Sequence, residues 1–151
     1  MHSIPASVLV IENHPMMRSA LCAAIAAEPD LKAVESNIAA RESLSLAILD
    51  DVLFPSAKPD MILLALGNPG WDELRLLEAL CKTLPHTFII ALTSNEVAGQ
   101  EQAALEAGAH TVITKAVSRS ELIDVLRELR TKALSIYSKN PLKREVSGSM
   151  A

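Results

Sequence analysis

Aromatic residues are scarce in this sequence, which has one Trp, one Tyr and two Phe among 151 residues, although half of all residues are apolar. A core built almost without aromatic rings has to be made from Leu, Ile, Val, Ala and Met. A chain of this length typically forms one domain around a single core. Such a composition favours helices packed on a sheet of aliphatic strands.

Positive charge is also in short supply, since the formal net charge is -4 and the pI is near 5.5. Because non-specific binding of nucleic acid needs a basic surface, we expect no nucleic acid to bind this domain alone. No run of 18 apolar residues is present, and no cationic segment followed by an apolar stretch opens the chain. The sequence therefore predicts a cytoplasmic protein without a membrane partner.

Sites for several kinds of chemistry are missing. The two cysteines, Cys22 and Cys81, lie in helix-like patterns without a CxxC pair, which predicts reduced thiols, not a disulfide or a metal site. The sequence also lacks a Gly-rich phosphate loop after its first strand, a nucleophile elbow and a paired-carboxylate site. We therefore expect no enzyme activity and no catalytic residues.

Short apolar runs alternate with helical patterns along the chain. Helices are predicted from Pro15 to about Glu28, over 39–52 and over 71–84. A fourth helix is predicted to end at Ala107 with Gly108 as its C-cap, and a fifth to begin at the capping box Ser118-Arg119-Ser120-Glu121. The predicted strands cover residues 8–11, 31–34, 61–66, 88–92 and 111–114. This alternation predicts an α/β fold: a doubly wound, five-stranded parallel sheet with helices on both faces.

In such sheets the working site lies at the carboxyl ends of the strands. The residues that fall there are Glu12, Asn13, Ala65, Thr93 and Lys115.

Three segments resemble the receiver domain of two-component response regulators, most closely the class with a C-terminal LuxR-type helix-turn-helix. They are VLVIENHPMMRSAL, PDMILLALGNPGWDEL and ALTSNEVAGQEQAALEAGAHTVITKAVSRSEL. The resemblance covers residues 8–138 and implies the CheY-like, flavodoxin-like three-layer sandwich and a role in phosphorelay signal transduction. In that family, an acidic pair after the first strand and an aspartate after the third bind Mg²⁺, and the aspartate accepts phosphate from a histidine kinase. A Thr or Ser and a Lys then contact the phosphoryl oxygens.

The resemblance implies a degenerate pocket in this chain. Two of its three carboxylates are absent, so the remaining one, Glu12, is only a weak candidate for Mg²⁺, and we expect no cofactor. These substitutions imply a pseudo-receiver, that is, a receiver domain without the phosphoacceptor that acts through protein contacts. Matched to the family, Glu12 and Asn13 stand for the acidic pair, Ala65 for the acceptor, Thr93 for the hydroxyl, Lys115 for the lysine and Val112 for the aromatic switch residue.

A second register places the acceptor earlier, at Asp50 or Asp51, and predicts a phosphorylatable receiver instead. The spacing favours Ala65, because Thr93 and Lys115 follow it by 28 and 50 residues, as the family pattern requires. The Ala65 register implies an insertion of about seven residues within 49–58, before the third strand, where insertions are tolerated. Lys115 is then expected to recruit an anion, to lock the loops, or simply to pair with Glu12.

The last helix carries an apolar stripe that is consistent either with covering the sheet or with forming a dimer. The stripe consists of Leu122, Leu126, Leu129, Ala133 and Ile136.

Expected partners are a kinase, another regulator or a second copy of the chain, with transcription as a possible output through a further domain. The predicted organisation is an N-terminal extension over 1–7, the receiver-like domain over 8–138, and a disordered tail or the start of a linker over 139–151. Trp71 is expected to cap its helix against the preceding loop.

Overall fold

Five strands form the centre of the molecule in a computed structural model, which describes residues 4–35, 59–67, 70–94 and 97–139, with the backbone alone over 134–139. The described elements are β1 (Ala6–Ile11), α1 (Pro15–Ala26), β2 (Leu31–Glu35), β3 (Met61–Ala65), α2 (Trp71–Thr83), β4 (Phe88–Thr93), α3 (Gln100–Ala107), β5 (Thr111–Thr114) and α4 (Arg119–Lys139). All five predicted strands are confirmed, with ends that differ from the prediction by two residues at most. The predicted helix over 39–52, the insertion within 49–58, and Asp50 and Asp51 lie outside the described residues.

The sheet has the order β2-β1-β3-β4-β5, and every pair of neighbouring strands is parallel. This order confirms the predicted five-stranded parallel sheet of the CheY-like, flavodoxin-like fold. The strand order reverses between β1 and β3, which is where sheets of this kind form a crevice at their carboxyl edge. Ala65, the last residue of β3, lies opposite Leu92 of β4 at that edge.

Alternate residues of each strand enter two separate cores, because side chains along a strand point in turn to opposite faces. One face of the sheet packs against Leu76, Leu77 and Leu80 of α2 and Ala104 of α3. The other face packs against Ile25 of α1 and against α4. Helices therefore cover both faces and give the predicted three layers.

Local signals in the sequence explain where several helices begin and end. Pro15 occupies the first turn of α1, and the Nδ1 atom of His14 accepts a hydrogen bond of 3.4 Å from the Met17 N–H. The predicted capping box is confirmed, since Ser118 Oγ accepts from the Glu121 N–H at 3.1 Å while Glu121 Oε1 accepts from the Ser118 N–H at 3.2 Å. Gly108 ends α3 in the left-handed region at φ 117°, as predicted.

The apolar stripe of α4 covers the sheet, so the dimer face predicted from it is wrong for three of its residues. Leu122, Leu126 and Leu129 are at most 3% exposed and belong to the core beneath β1, β3 and β4. A dimer through these side chains would have to remove them from a core where each contributes roughly 1.5–3 kcal/mol. Ala133 is half-buried, and the Ile136 side chain lies outside the described part of the helix.

Two arginines of α4 hold the turn between α1 and β2. The Arg127 guanidinium donates two hydrogen bonds of 2.9 Å to the Asp30 carboxylate and also pairs with Glu28. Arg130 donates to the carbonyl oxygens of Asp30 and Ile4 at 2.7 and 2.6 Å. The bond with Arg127 lowers the pKa of the Asp30 carboxyl below its ordinary value. These contacts fix the last helix to the start of the fold.

Among the residues described, no helix combines the length and the hydropathy that crossing a bilayer would require.

Candidate functional site

The residues predicted at the carboxyl edge of the sheet do come from neighbouring strands. Glu12 and Asn13 follow β1, Ala65 ends β3, Thr93 ends β4 and Lys115 follows β5. The loop of Lys115 is tied to β4, because the Lys115 N–H donates to the Thr93 carbonyl oxygen at 2.8 Å. The parallel sheet thus gathers these positions at one edge.

Glu12 is the one buried carboxylate at this edge among the residues described, with 7% of its surface exposed. Its Oε2 atom accepts a hydrogen bond of 2.9 Å from the His14 N–H, which fixes the side chain to the turn that opens α1. Its Oε1 atom is buried and has no hydrogen-bond partner within the described structure. Lys115 Nζ lies 3.7 Å from that atom, close enough for an ion pair but too long for a hydrogen bond. One acceptor atom therefore remains unused in the pocket.

Lys115 pairs with Glu12, which is one of the three roles expected for it. Its side chain is 30% exposed, so solvent partly screens the pair.

Thr93 and Ala65 face different surroundings. Thr93 is 3% exposed, and its hydroxyl lies 3.4 Å from the Ile113 carbonyl oxygen, to which it donates across to β5. Ala65 is 6% exposed and packs in the core shared by α1 and α4. Its methyl group offers neither an acceptor atom nor a nucleophile.

The remaining predicted positions add little polar chemistry. Asn13 is half-buried beside Glu12. Val112, at the switch position, is half-buried and packs against the core on the side of α2 and α3. A β-branched valine has one preferred rotamer in most settings and lacks the ring that would move between two environments. No group of three or more metal-ligating side chains occurs among the described residues.

Two hollows open beside α1. The first, with a volume of about 310 Å³, lies between α1 and the start of α4. The second, of about 380 Å³, lies above Glu12 and is lined by Glu12, His14, Met16, Met17, Ala20 and Lys115. Met16 is 77% exposed and Met17 is 37% exposed. Lys115 and Arg119 supply the positive charge along the two hollows.

Trp71 does not cap its helix, so that prediction is wrong. It is the first residue of α2 and is 66% exposed. The preceding residue, Gly70, adopts φ 89° and carries no side chain against which the indole could pack. The ring therefore faces solvent at the same edge of the sheet as the pocket.

The sequence interpretation missed Gln100, which is 3% exposed although it is polar. Its amide joins the loops that follow β3 and β4, through Gly67 and Ser94. Its position did carry a signal, since it precedes the buried Ala104 by four residues and so lies on the inner face of α3.

Comparison with known proteins agrees with this geometry. The family model for the response regulator receiver domain matches residues 8–127. The chain is 30% identical over 120 residues to the transcriptional regulatory protein LiaR of Bacillus subtilis (strain 168), covering 80% of this chain and 54% of that protein. It is 30% identical over 127 residues to the nitrate/nitrite response regulator protein NarL of Escherichia coli (strain K12), covering 82% and 54%. The chain spans about half the length of these relatives.

Solved structures share the fold at lower identity. A CheY-like response regulator receiver domain protein from Methanospirillum hungatei JF-1 matches with a TM-score of 0.70 at 17% identity, covering 87% of this chain and 98% of that one. A LuxR-family DNA-binding response regulator from Staphylococcus aureus matches with a TM-score of 0.64 at 20% identity, covering 82% and 97%. The fold and the family match agree, and this chain belongs to the response regulator receiver domain family.

Proposed function

We propose that this chain is a pseudo-receiver, a receiver domain that takes no phosphate and acts in signalling through protein contacts. The observation that carries the proposal is Ala65 at the end of the strand that lies between β1 and β4. That position in the sheet is occupied by Met61–Ala65, which supports the register in which the acceptor aspartate is replaced. A methyl group cannot form an acyl phosphate. The proposal assigns no catalytic residue.

The metal chemistry of the pocket supports the same proposal. Mg²⁺ prefers several oxygen ligands in octahedral geometry and gives up its waters reluctantly. Here Glu12 offers one carboxylate, Asn13 an amide and Ala65 nothing, while the Lys115 ammonium already lies 3.7 Å from Glu12 Oε1. A dication entering this pocket would meet that positive charge, so we expect Mg²⁺ to bind weakly or not at all.

Intact-mass measurement after incubation with acetyl phosphate and Mg²⁺ tests the missing acceptor. We expect no added phosphate on the parent chain. The matched variant carries Asn13→Asp and Ala65→Asp, which restore the two carboxylates, and we expect it to gain one phosphate. A phosphate on the parent chain, located by fragmentation at Asp50 or Asp51, would show the alternative, a phosphorylatable receiver, to be correct.

The surface beside α1 supports contact with a protein. Met16 and Met17 place flexible apolar side chains at the hollow above Glu12, and Met side chains suit adaptable binding surfaces. Helix α1 has no acidic residue in its first turn, and Lys115 and Arg119 border the neighbouring hollow. We propose that an amphipathic helix of a two-component partner, such as a kinase, lies here, with its apolar side on Met16 and Met17 and acidic residues near the two cations.

A photo-crosslinking residue at position 16 tests that surface in cells. The matched control places the same residue at Leu105, which is 44% exposed on α3, on the opposite face of the sheet. We expect position 16, and not position 105, to yield a crosslink to a two-component signalling protein identified by mass spectrometry. Equal crosslinking at both positions, or none at position 16, would contradict the proposed surface.

Regulation of transcription is the output that the relatives suggest, since LiaR is a transcriptional regulatory protein. We propose the same output for the full pathway of this chain, exerted through a partner or a DNA-binding segment. Self-association through the apolar stripe of α4 is not part of the proposal, because its leucines are buried in the core.

A further inference from the structure

A single buried side chain joins the two loops that follow β3 and β4. Gln100, the first residue of α3, donates from Nε2 to the Gly67 carbonyl oxygen at 2.8 Å. Its Oε1 atom accepts a hydrogen bond from the Ser94 N–H, also at 2.8 Å. Gly67 lies just after β3 and Ser94 just after β4, so the amide connects loops from two different strands.

The turn before α2 is built around this amide. Gly70 adopts φ 89°, and a Cβ placed on it would lie 2.9 Å from Gln100 Nε2 and 3.0 Å from the Gly67 carbonyl oxygen. On its other side, the Gly67 N–H donates to Glu73 Oε1 at 3.3 Å. The backbone of Gly67 is therefore held from both sides, by Glu73 through its N–H and by Gln100 through its carbonyl.

Burial makes these bonds difficult to break one at a time. The hydrogen bonds of a fully paired buried amide offset its desolvation cost, and an amide that loses a partner carries part of that cost uncompensated. Gln102, two residues further along α3, is exposed and donates to Glu106 on the same helix at 3.2 Å. The helix thus holds one glutamine in solvent and the other between two loops, and only the second connects separate parts of the chain.

We propose that Gln100 is a latch that couples the loop after β3 to the loop after β4, so that a displacement of one loop displaces the other. The latch stands whether or not the chain accepts phosphate, because none of these contacts involves Ala65 or Glu12. Trp71 follows the latched turn directly and is 66% exposed. We therefore expect a partner that contacts and displaces Trp71 to displace Ser94 and the start of α3 as well.

Amide hydrogen exchange measured by NMR tests the latch on the whole chain. In Gln100→Ala, we expect the Ser94 amide to exchange about three- to tenfold faster, as loss of one hydrogen bond predicts. We also expect the Gly67 resonance to shift in the same variant. The matched control Gln102→Ala should leave both unchanged, and the Leu66 N–H, which donates to the Leu92 carbonyl oxygen at 2.8 Å, is the internal reference.

Gln100→Glu separates the two halves of the latch. It keeps an oxygen for the Ser94 N–H but removes the donor to the Gly67 carbonyl oxygen. We expect the Ser94 amide to stay protected in this variant while Gly67 and Gly70 exchange faster. If Gln100→Ala does not fold, the faster exchange of Gly67 and Gly70 alone in Gln100→Glu tests the latch. Equally faster exchange at Ser94 would contradict separate roles for the two ends of the amide.

Transmission is tested by changing one loop and observing the other. Glu73→Ala frees the Gly67 N–H, and we expect it to shift the Ser94 resonance in the parent chain. The same substitution made on Gln100→Ala, or on Gln100→Glu if the former does not fold, should leave Ser94 unshifted. A Ser94 shift of equal size in both backgrounds, or no shift in the parent, would overturn the proposal.

Discussion

Two regions of the same sheet edge differ in how their polar atoms are used. Beside β1 and β5, Glu12 Oε1 has no hydrogen-bond partner in the described part of the chain, the Lys115 ammonium lies 3.7 Å away, and a hollow of about 380 Å³ is open. Beside β3 and β4, the Gln100 amide bonds at both ends to Gly67 and Ser94, and the turn leaves no room for a Cβ at Gly70. The first region is incompletely paired, whereas the second is closely fitted.

The difference lies in how many partners each polar group has. Glu12 and Lys115 lie 3.7 Å apart and Ala65, which ends β3, has no polar side chain, so the pair is a loose one. The loops beside β3 and β4 are joined by the two hydrogen bonds of the neutral Gln100 amide. We therefore expect substitutions to be costly in the second region and mild in the first.

The largest effect is expected for Gly70→Ala. The new methyl group meets Gln100 Nε2 at 2.9 Å and the backbone must keep φ 89°, so steric overlap and conformational strain together cost about 2–4 kcal/mol of unfolding free energy. Gly99→Ala is the matched control, because Gly99 also precedes a helix at φ 77° but no atom of the described residues lies within 4 Å of its Cβ position. In Gly99→Ala, conformational strain alone should then cost about 1–2 kcal/mol of unfolding free energy. Equal costs in urea denaturation would mean that the turn is not closely fitted.

An intermediate effect is expected at the loosely paired region. Lys115→Met leaves the buried Glu12 carboxylate without the cation 3.7 Å away, but Lys115 is 30% exposed, so solvent screening limits the loss to about 1 kcal/mol. Glu12→Gln removes the charge and keeps an oxygen for the His14 N–H, so we expect a change within about 0.5 kcal/mol.

The double variant of Lys115 and Glu12 measures the coupling between them. We expect Lys115→Met to cost less on the Glu12→Gln background, because no buried charge is then left unpaired. Additive losses in urea denaturation would show that the two side chains do not interact, and the contrast between the two regions would lose its basis.

The smallest effect is expected at His110, which precedes β5 at the opposite edge of the sheet and serves as a reference outside both regions. Burial lowers the pKa of His110 below its ordinary value of 6.5, and its Nδ1 atom accepts a hydrogen bond of 3.0 Å from the Ile89 N–H. The unfolded chain therefore binds a proton at higher pH than the folded one. The neutral His110 side chain therefore contributes fully to stability above pH 6.5, and this contribution is lost as the pH falls below that value.

Urea denaturation over a range of pH checks this sign. His110→Gln keeps an acceptor but cannot be protonated, so the stability of the parent relative to this variant should decrease as the pH falls through 6.5. A relative stability that rises with acidity would contradict the lowered pKa.

Much of the fold followed from local patterns in the sequence. Continuous apolar runs predicted the strands because both faces of a parallel sheet are covered, and the Ser118 to Glu121 capping box lies within one helical turn. The edge positions Glu12, Ala65 and Lys115 followed from strand order, since parallel strands end at the same side. Bonds between residues close in sequence, or periodic burial, can be read from a single chain.

The features that the sequence did not predict depend on contacts between distant segments. Arg127 and Arg130 hold Asp30, which lies 97 and 100 residues earlier, and no local pattern connects positions so far apart. The stripe of α4 suited two surfaces equally well, and only packing against the sheet decided between them. The contacts of Gln100 could not be predicted from its position on the inner face of a helix, because its partners lie in the loops that follow two other strands.

The contacts of Arg127 and Arg130 also constrain how the chain folds during its synthesis. Because Asp30 leaves the ribosome 97 residues before Arg127 does, the turn after α1 waits roughly 5–20 s for its partner at ordinary rates of translation. Until α4 emerges, the aliphatic face of β1 and β3 is covered only by α1. The order of synthesis therefore leaves the turn after α1 incomplete until the last helix has been made.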